Sequence, residues 1–361
     1  MTLFSLGWDD FCSKSFHPFC SGDLVPARVA LEHRNAYELL SAHGELAAEC
    51  TGRLIHSASS RADRPSVGDW VAVRLRPGEF RADIHAVLPR RTKFSRRAAG
   101  ETASEQIVAA NVDTVFLVTA LDANYNLRRI ERYLAVAWAS GAQPVVVLNK
   151  ADLHSDPAAA RAEVESVAVG APVLALSAAR GDGLGALAPW LTPGRTVALL
   201  GSSGVGKSTL INALLAAPRQ LTGTISDAAG KGRHTTTRRE LIVAPSGALV
   251  IDTPGMRELQ LWDLADDSLD TTFADIAALA ARCRFGDCTH RAEPDCAVQA
   301  ALDDGSLDAD RWQSFQKLQR EQAYAARKAD PRLARESKAA WKKILKTQRV
   351  HDRFEDGTDP V

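Results

Sequence analysis

Hydrophobic and polar positions alternate over short distances in the first third of the chain. Between residues 24 and 90, turn residues such as His43-Gly44 and Pro77-Gly78 separate short apolar runs. These runs cover residues 27–31, 36–40, 45–50, 69–73 and 84–88. About five short strands in this length predict a small closed β-barrel of the oligonucleotide-binding (OB) type. Such a barrel can present one face to a nucleic acid or serve only as a protein-binding module, and the pattern leaves both open.

A different pattern of apolar residues begins near residue 111. The run 111–119 is almost continuously apolar, which is typical of a strand covered by helices on both faces. Leu127, Ile130 and Leu134 then share one face of a predicted helix over 127–140. Further apolar runs lie at 144–148, 172–176, 196–200, 241–243 and 248–251. The middle of the chain is therefore predicted to be an α/β domain.

Both ends of the chain carry apolar residues at helical spacing. Phe4, Leu6, Trp8, Phe11 and Phe16 predict a short N-terminal helix docked on something larger. Near the other end Trp312, Phe315 and Leu318 begin a helix within a basic segment, because residues 311–353 hold 13 Lys or Arg against four Asp or Glu. We therefore expect a multidomain chain: an N-terminal segment with the OB-fold barrel (1–95), an α/β domain (96–261) and a C-terminal α-helical module with a basic tail (262–361).

A phosphate-binding loop follows the predicted strand at 196–200. The pattern G-x-x-x-x-G-K-[ST] is matched by Gly201, Ser202, Ser203, Gly204, Val205, Gly206, Lys207 and Ser208, and a helix is predicted from Thr209 onward. Glycines let backbone N–H groups surround a β-phosphate, and the N-terminus of the helix faces the anion. Lys207 would place its charge on the β- and γ-phosphates, and Ser208 would offer its hydroxyl to Mg²⁺. This is the hallmark of a nucleoside triphosphate site.

The base is indicated by the tetrapeptide Asn149, Lys150, Ala151 and Asp152, which follows the strand at 144–148. The Asp152 carboxylate can accept hydrogen bonds from both N1–H and the 2-amino group of guanine, and adenine has no such pair of donors. Asn149 and Lys150 would brace the loops and cover the ring. Ser177 and Ala178 end the next strand, where backbone N–H groups can donate to the guanine O6. These residues favour GTP over ATP and make an ATP-using kinase unlikely.

The remaining nucleotide motifs lie after the phosphate loop. Thr236, with Thr237 as the fallback, is expected to bind Mg²⁺ and sense the γ-phosphate. Asp252 ends the strand at 248–251 and is expected to hold the Mg²⁺ shell, while the Gly255 N–H can reach the γ-phosphate. In most GTPases the guanine-reading motifs come last, but here they come first. The order indicates a circularly permuted P-loop GTPase.

Three thiols and one imidazole cluster beyond the permuted domain. Cys283, Cys288, His290 and Cys296 have the residue types and spacing of a closed tetrahedral Zn²⁺ site. We expect one structural zinc ion per chain, with no role in the chemistry. The scattered Cys12, Cys20 and Cys50 are most simply free thiols in a reducing compartment.

Charge and hydropathy exclude some classes of protein. Lys plus Arg balance Asp plus Glu at 44 each, so any affinity for nucleic acid must come from local patches. The stretch 90–97 is one such patch, with five cations in eight residues, although a solvated linker would look the same. No apolar run approaches the ~20 residues that a transmembrane helix needs. The N-terminus also lacks the features of a signal peptide, and we expect a cytoplasmic monomer without membrane contact.

Taken together, the barrel, the permuted motifs and the Cys-Cys-His-Cys module resemble the RsgA/YjeQ family of small ribosomal subunit-dependent GTPases. The resemblance covers nearly the whole chain, and its specific carriers include residues 201–209, 232–237 and 283–296. It implies hydrolysis of GTP to GDP and phosphate, stimulated by the small ribosomal subunit, in late maturation of that subunit. It also implies that the barrel and the zinc module contact ribosomal RNA. The alternative is a nucleotide-dependent rRNA-binding scaffold in which hydrolysis is incidental.

The residue after D-x-x-G bears on the mechanism. Many GTPases have glutamine there to orient the attacking water, but this chain has Met256, which cannot do so. Lys207 remains as a catalytic charge, and slow intrinsic turnover is expected. His234 in the switch loop is the candidate substitute, brought into place when RNA orders that loop, and a solvent-facing histidine is the alternative.

Overall fold

The computed structural model describes residues 1–20, 22–33, 36–97, 105–123, 125–216, 239–252, 266–291 and 293–329. Its first sheet segment is a barrel formed by β1 (Leu24–Glu32), β2 (Tyr37–Ser41), β3 (Gly44–Cys50), β4 (Trp70–Leu75) and β5 (Arg81–Val87). The strand order is β1-β2-β3-β5-β4, and β4 pairs back onto β1 to close it. Every second residue of β1 and β4 points inward, so that the apolar alternation becomes a core of Ala27, Val29, Leu39, Val71 and Ile84. The predicted five-stranded barrel is confirmed.

Two short helices accompany the barrel strands, and a hairpin follows them. Helix α1 (Asp10–Phe16) precedes the barrel, and Trp8 packs edge-on against Phe16 and Trp70. Leu6 and Phe16 are buried, so part of the apolar N-terminus docks as predicted, whereas Phe4 and Phe11 are exposed. Helix α2 (Gly52–Ser57) follows β3. The basic stretch beyond the barrel enters a two-stranded hairpin of β6 (Lys93–Arg97) and β7 (Glu105–Ala110).

The central sheet has strand order β10-β9-β8-β11-β13-β12. Its strands are β8 (Thr114–Ala120), β9 (Gln143–Asn149), β10 (Val173–Ala175), β11 (Thr196–Leu200), β12 (Glu240–Val243) and β13 (Leu249–Asp252). All pairings are parallel except that of β12 with β13. Helices α3 (Leu127–Ser140), α4 (Pro157–Val167) and α5 (Lys207–Leu215) accompany it. Because helices cover both faces, β8 is buried along its whole length, as the continuous apolar run predicts.

The barrel and the central sheet are continuous. The end of β1 pairs with the start of β12, with Leu31 opposite Glu240, so the strands form one sheet of eleven. Arg28, buried in β1, adds a second link: its guanidinium donates to the carbonyl oxygens of Leu6, Gly68 and Asn111. One side chain therefore joins the N-terminal segment, the barrel and the entry to β8.

The C-terminal module is α-helical in its described part. Helices α6 (Asp266–Thr272), α7 (Ala274–Ala280), α8 (Ala297–Asp303) and α9 (Ala309–Ala329) enclose a small core with Phe273, Ile276 and Trp312. The helix predicted from Trp312 is present and starts three residues earlier; the tail after residue 329 lies outside the described residues. Within the described ranges every helix is too short or too polar to cross a membrane.

A buried ion pair fixes the exit from the barrel. Asp69 is fully buried, and Arg90 donates to both of its carboxylate oxygens at 2.8 and 2.7 Å. The Ser66 N–H donates to the same carboxylate at 2.8 Å. Burial raises the pKa of Asp69 although the Arg90 guanidinium acts to lower it. The ionised form of Asp69 therefore depends strongly on this partner.

Removal of Arg90 should therefore destabilise the protein strongly. We expect Arg90→Met to lower the free energy of unfolding by about 3 kcal/mol, since Asp69 would keep a buried charge without a partner. The matched change Arg76→Met breaks a partly exposed pair with Asp83 and should cost much less. Urea unfolding of both variants measures the difference, and equal costs would contradict the structural role given to Arg90.

Candidate nucleotide and metal sites

The sequence motifs converge on one edge of the central sheet. Residues 201–208 follow β11, residues 149–152 close and follow β9, and Ser177 and Ala178 follow β10. These strands are parallel, so their carboxyl ends meet at the same edge, where ligands of open α/β sheets bind. The motifs lie up to 59 positions apart in the sequence, from Asn149 to Ser208, and the fold brings them together.

Two glycines of the phosphate loop are required by close approach. A Cβ on Gly201 would lie 2.2 Å from the carbonyl oxygen of Val118 in β8. Gly206 has a φ of +94°, and its Cβ would lie 2.2 Å from Nδ2 of Asn149. The loop is therefore pressed against its neighbours, while Gly204 has open space around it. Sequence reasoning assigned the glycines to phosphate access alone and missed this packing.

The Lys207 side chain lies across the loop. Its ammonium donates to the carbonyl oxygens of Gly201 at 2.7 Å and Ser202 at 2.5 Å. Helix α5 begins at Lys207, and its N-cap Gly206 has no side chain to occupy the first N–H groups. A helix N-terminus and an ammonium thus meet in one concave loop, and both favour an anion.

The Asn149 carboxamide links three motifs. Its Nδ2 donates to the carbonyl oxygen of Val205 in the phosphate loop at 2.8 Å, and its Oδ1 accepts from the Ala178 N–H at 3.0 Å. The side chain is almost fully buried. The phosphate loop, the Asn149–Asp152 segment and the Ser177–Ala178 segment are therefore held in one rigid arrangement.

The other guanine-motif residues have partners that the sequence did not reveal. Lys150 has a φ of +59°, and its ammonium pairs with Asp122 at 2.8 Å. The Asp152 carboxylate lies beside Arg180, with Nε to Oδ2 at 3.3 Å. A hydrogen bond from the Ser177 hydroxyl, with the charge of Arg180, lowers the pKa of Asp152 below its usual range. Asp152 is thus ionised at neutral pH and accepts hydrogen bonds only. Asp122 could have been suspected, since it lies two positions after the buried strand β8.

Only two of the expected magnesium ligands lie within the described residues. Ser208 is exposed in the first turn of α5, and Asp252 ends β13, which is the direct neighbour of β11. Both offer oxygen atoms, the donors that Mg²⁺ prefers. Thr236, Thr237 and Gly255 lie outside the described residues, as do the mechanistic positions His234 and Met256.

The four predicted zinc ligands form one cluster. The donor atoms of Cys283, Cys288, His290 and Cys296 all lie within 4.8 Å of one another. The two thiols Cys283 and Cys296 are 3.9 Å apart, and His290 Nδ1 lies 3.5 and 3.4 Å from them. A tetrahedral zinc ion needs S···S edges of about 3.8 Å and S···N edges of about 3.6 Å. The donor set therefore fits a closed tetrahedral site.

The local backbone supports the same reading of the cluster. His290 has a φ of +58°, an uncommon conformation for a residue with a side chain, and Gln299 Nε2 donates to its carbonyl oxygen at 2.6 Å. Against desolvation, hydrogen bonds from the Ala297 and Val298 N–H groups lower the pKa of Cys283, whereas desolvation and the neighbouring thiols raise the pKa of Cys288 to about 11. A thiolate is the form that binds metal.

The strand order and the permuted order of the motifs define a circularly permuted P-loop GTPase. The chain belongs to the RsgA GTPase family, whose model matches residues 87–262. It is 64% identical to the small ribosomal subunit biogenesis GTPase RsgA of Opitutus terrae, over 98% of this chain and 99% of that protein. It is 41% identical to the protein of the same name from Methanosarcina acetivorans, over 96% and 93% of the two chains.

Solved structures agree with this assignment. The crystal structure of YjeQ from Thermotoga maritima superimposes with a TM-score of 0.62 at 27% identity, covering 83% of this chain and 98% of that one. YloQ, described as a circularly permuted GTPase, shares the fold with a TM-score of 0.59 at 23% identity, covering 83% and 95%. The predicted family, permuted fold and GTPase class are confirmed.

Loss of one thiol should abolish metal binding at the cluster. We expect Cys283→Ser to lose the bound metal ion and to melt the C-terminal module at a lower temperature, since a structural site contributes folding energy directly. Metal analysis of the purified protein and thermal unfolding measure both effects. Cys20→Ser, at an exposed thiol outside the cluster, is the control, and retention of metal by Cys283→Ser would contradict the site.

Proposed function

We propose that this chain binds GTP at the carboxyl edge of the central sheet and hydrolyses it as a switch in the late maturation of the small ribosomal subunit. The observation that carries the proposal is the Asn149 carboxamide, which joins the phosphate loop to both guanine motifs. That junction gives a nucleotide with a guanine base and a phosphate chain one continuous site. The name shared by the close relatives, small ribosomal subunit biogenesis GTPase, supplies the partner.

The described residues divide the work of binding. The backbone of residues 201–206 and the first turn of α5 at Ser208 and Thr209 surround the phosphates. Lys207 exchanges its loop carbonyls for phosphate oxygens and stabilises the charge that spreads over them during transfer. At the other end Asp152 accepts from the guanine edge, while Ala151 and the Ser177–Ala178 segment line the base. In the reaction a water oxygen bonds to the γ-phosphorus, the bond to the β-phosphate oxygen breaks, and GDP and phosphate leave.

Two metal ions complete the proposal. Ser208 and Asp252, together with Thr236, hold Mg²⁺, which neutralises phosphate charge; the Gly255 N–H adds a contact to the γ-phosphate. The Cys283, Cys288, His290 and Cys296 cluster holds one structural Zn²⁺ per chain, because three thiolates and an imidazole leave no open position.

The remaining assignments extend the same proposal. The chain is a monomer of the cytoplasm, divided at 1–95, 96–261 and 262–361, and its barrel and C-terminal module contact ribosomal RNA. The five cations of residues 90–97 lie at the boundary between the first and second of these units. His234 completes the catalytic machinery when the subunit orders its loop, because Met256 cannot orient water.

Recognition of guanine can be tested with a variant that prefers another base, instead of one that loses nucleotide binding altogether. In Asp152→Asn the side-chain amide offers one acceptor and donates from the other position, so it matches xanthine better than guanine. We expect GDP binding to weaken by about 100-fold or more and XDP binding to strengthen. Fluorescent mant-GDP and mant-XDP titrations measure the reversal, with Asp156→Asn, an N-cap of α4, as control. Unchanged preference in Asp152→Asn would exclude the proposed base site.

Catalysis can be tested by turnover with and without purified small subunits. We expect His234→Ala to bind GTP as the unaltered chain does but to lose the stimulation of hydrolysis, by about 100-fold. His154→Ala, which changes a histidine two positions after the guanine motif, is the control and should keep stimulated turnover. Full stimulation in His234→Ala would overturn the role of His234.

The scaffold alternative predicts a different outcome when release of the protein from the small subunit is followed. Lys207→Ala should hydrolyse no GTP, so under the switch proposal it stays on the subunit longer than the unaltered chain. Sedimentation of the variant with subunits follows its release. Release at the normal rate would favour a scaffold in which hydrolysis is incidental.

A further inference from the structure

Helix α3 touches both the C-terminal module and the phosphate loop within its first two turns. Arg128, Glu131 and Arg132 contact the module, whereas Arg129 contacts the loop. All four lie within five consecutive positions of one helix that begins at Leu127. A helix is rigid over so short a distance, so the two sets of contacts cannot shift independently.

The contacts to the module are charged, and their centre, the pair of Glu131 with Arg311, is buried. Arg311 of α9 donates to Glu131 Oε1 at 2.7 Å, and Arg128 donates to the same oxygen at 2.6 Å. Arg128 also reaches Asp308 at 2.7 Å, and Asp275 of α7 holds the other side of Arg311 at 2.7 and 2.6 Å. Glu131 has no exposed side-chain surface, and only 7% of the Arg311 side chain is exposed.

Buried ion pairs of this kind add little net stability, but they are costly to break. Desolvation offsets most of their attraction, but a displaced partner leaves a buried charge without compensation. Glu131 must therefore keep its place between Arg128 and Arg311. The network fixes where the first turns of α3 lie relative to the module.

The contact between α3 and the phosphate loop involves a loop residue that also binds Lys207. Arg129 Nη1 donates to the Ser202 hydroxyl at 3.3 Å. Ser202 is the second residue of the phosphate loop, and its carbonyl oxygen accepts from Lys207. The N–H of Arg129 is itself fixed by the Asn126 side chain at 2.9 Å, at the N-cap of α3. Arg129 thus reaches the loop from a helix start that is well anchored.

We propose that Arg129 is a positioning residue for the phosphate loop, and that the ion pairs of Arg128 and Glu131 with the C-terminal module keep it in place. The zinc-binding module then contributes to nucleotide affinity through α3, without touching the nucleotide. This inference rests on the proposed function in one respect, namely that the phosphate loop binds guanine nucleotide.

The first experiment tests the loop end of the connection. Arg129→Met and Ser202→Ala should each weaken mant-GDP binding roughly fivefold, since each removes one hydrogen bond from a charged donor. The double variant should be no weaker than either single variant, because both changes remove the same contact. Arg129→Lys, which keeps a cationic donor on a long side chain, should recover part of the affinity. Additive losses, or unchanged binding in Arg129→Met, would overturn the positioning role.

The second experiment tests the module end. Arg128→Met keeps the aliphatic packing of the side chain but cuts both ion pairs, and it should weaken mant-GDP binding about threefold, without further loss when Arg129→Met is added. Arg161→Met in α4 removes an exposed helical ion pair with Glu165 and is the matched control, with no expected change. Full affinity in Arg128→Met would overturn the link to the module.

Folding and nucleotide binding are separated by two further measurements. Metal content and circular dichroism establish that each variant keeps its module. Should Arg128→Met fail to fold, Asp308→Asn replaces it, because asparagine can still cap α9 while losing the charge that Arg128 contacts. Failure of the unaltered chain to bind mant-GDP would reject the proposed function itself, whereas normal binding with independent variants would reject only this inference.

Discussion

The Asn149 carboxamide is the interaction on which the candidate site depends. Both of its ends are used in a buried position, one as donor to Val205 and one as acceptor from Ala178. A carboxylate would place negative charge against the Val205 carbonyl, and an aliphatic side chain would leave two backbone groups without partners. The contact is so close that Gly206 has no room for a Cβ. The predicted base-reading segment and the phosphate loop thus lie side by side because one amide fits between them.

Circular permutation leaves this arrangement intact because strand pairing depends on neighbours in space. The chain enters the central sheet at β8 and reaches β11 only later, yet β11 still lies between β8 and β13. What changes is the destination of the chain after β13, which now leads to the C-terminal module that holds the Cys/His cluster. That module packs back on α3, the helix that follows β8. The new order therefore connects the end of β13 to a module that contacts the central domain through α3.

Most of the architecture could be predicted from the sequence because it rests on local patterns. The barrel strands, the buried strand β8 and helix α3 follow apolar periodicity, and the two motif loops and the thiol cluster follow fixed spacing. Long-range polar partners have no such pattern. Nothing near Arg129 indicates Ser202, 73 positions away, and nothing near Arg90 indicates the buried Asp69. Pairing of β1 with β12 was equally invisible, since it joins segments about 200 residues apart through a single register.

Charge placement bears directly on how the chain could meet RNA. The stretch 90–97 reads as a phosphate-binding patch, but its first three cations already have carboxylate partners: Arg90 pairs with the buried Asp69, whereas the pairs of Arg91 with Asp9 and of Lys93 with Glu105 are partly exposed. A cation that already has a carboxylate partner gains less from a phosphate, because the old pair must first be broken. Arg90, whose partner Asp69 is buried, therefore has a structural role that the composition of the stretch does not indicate.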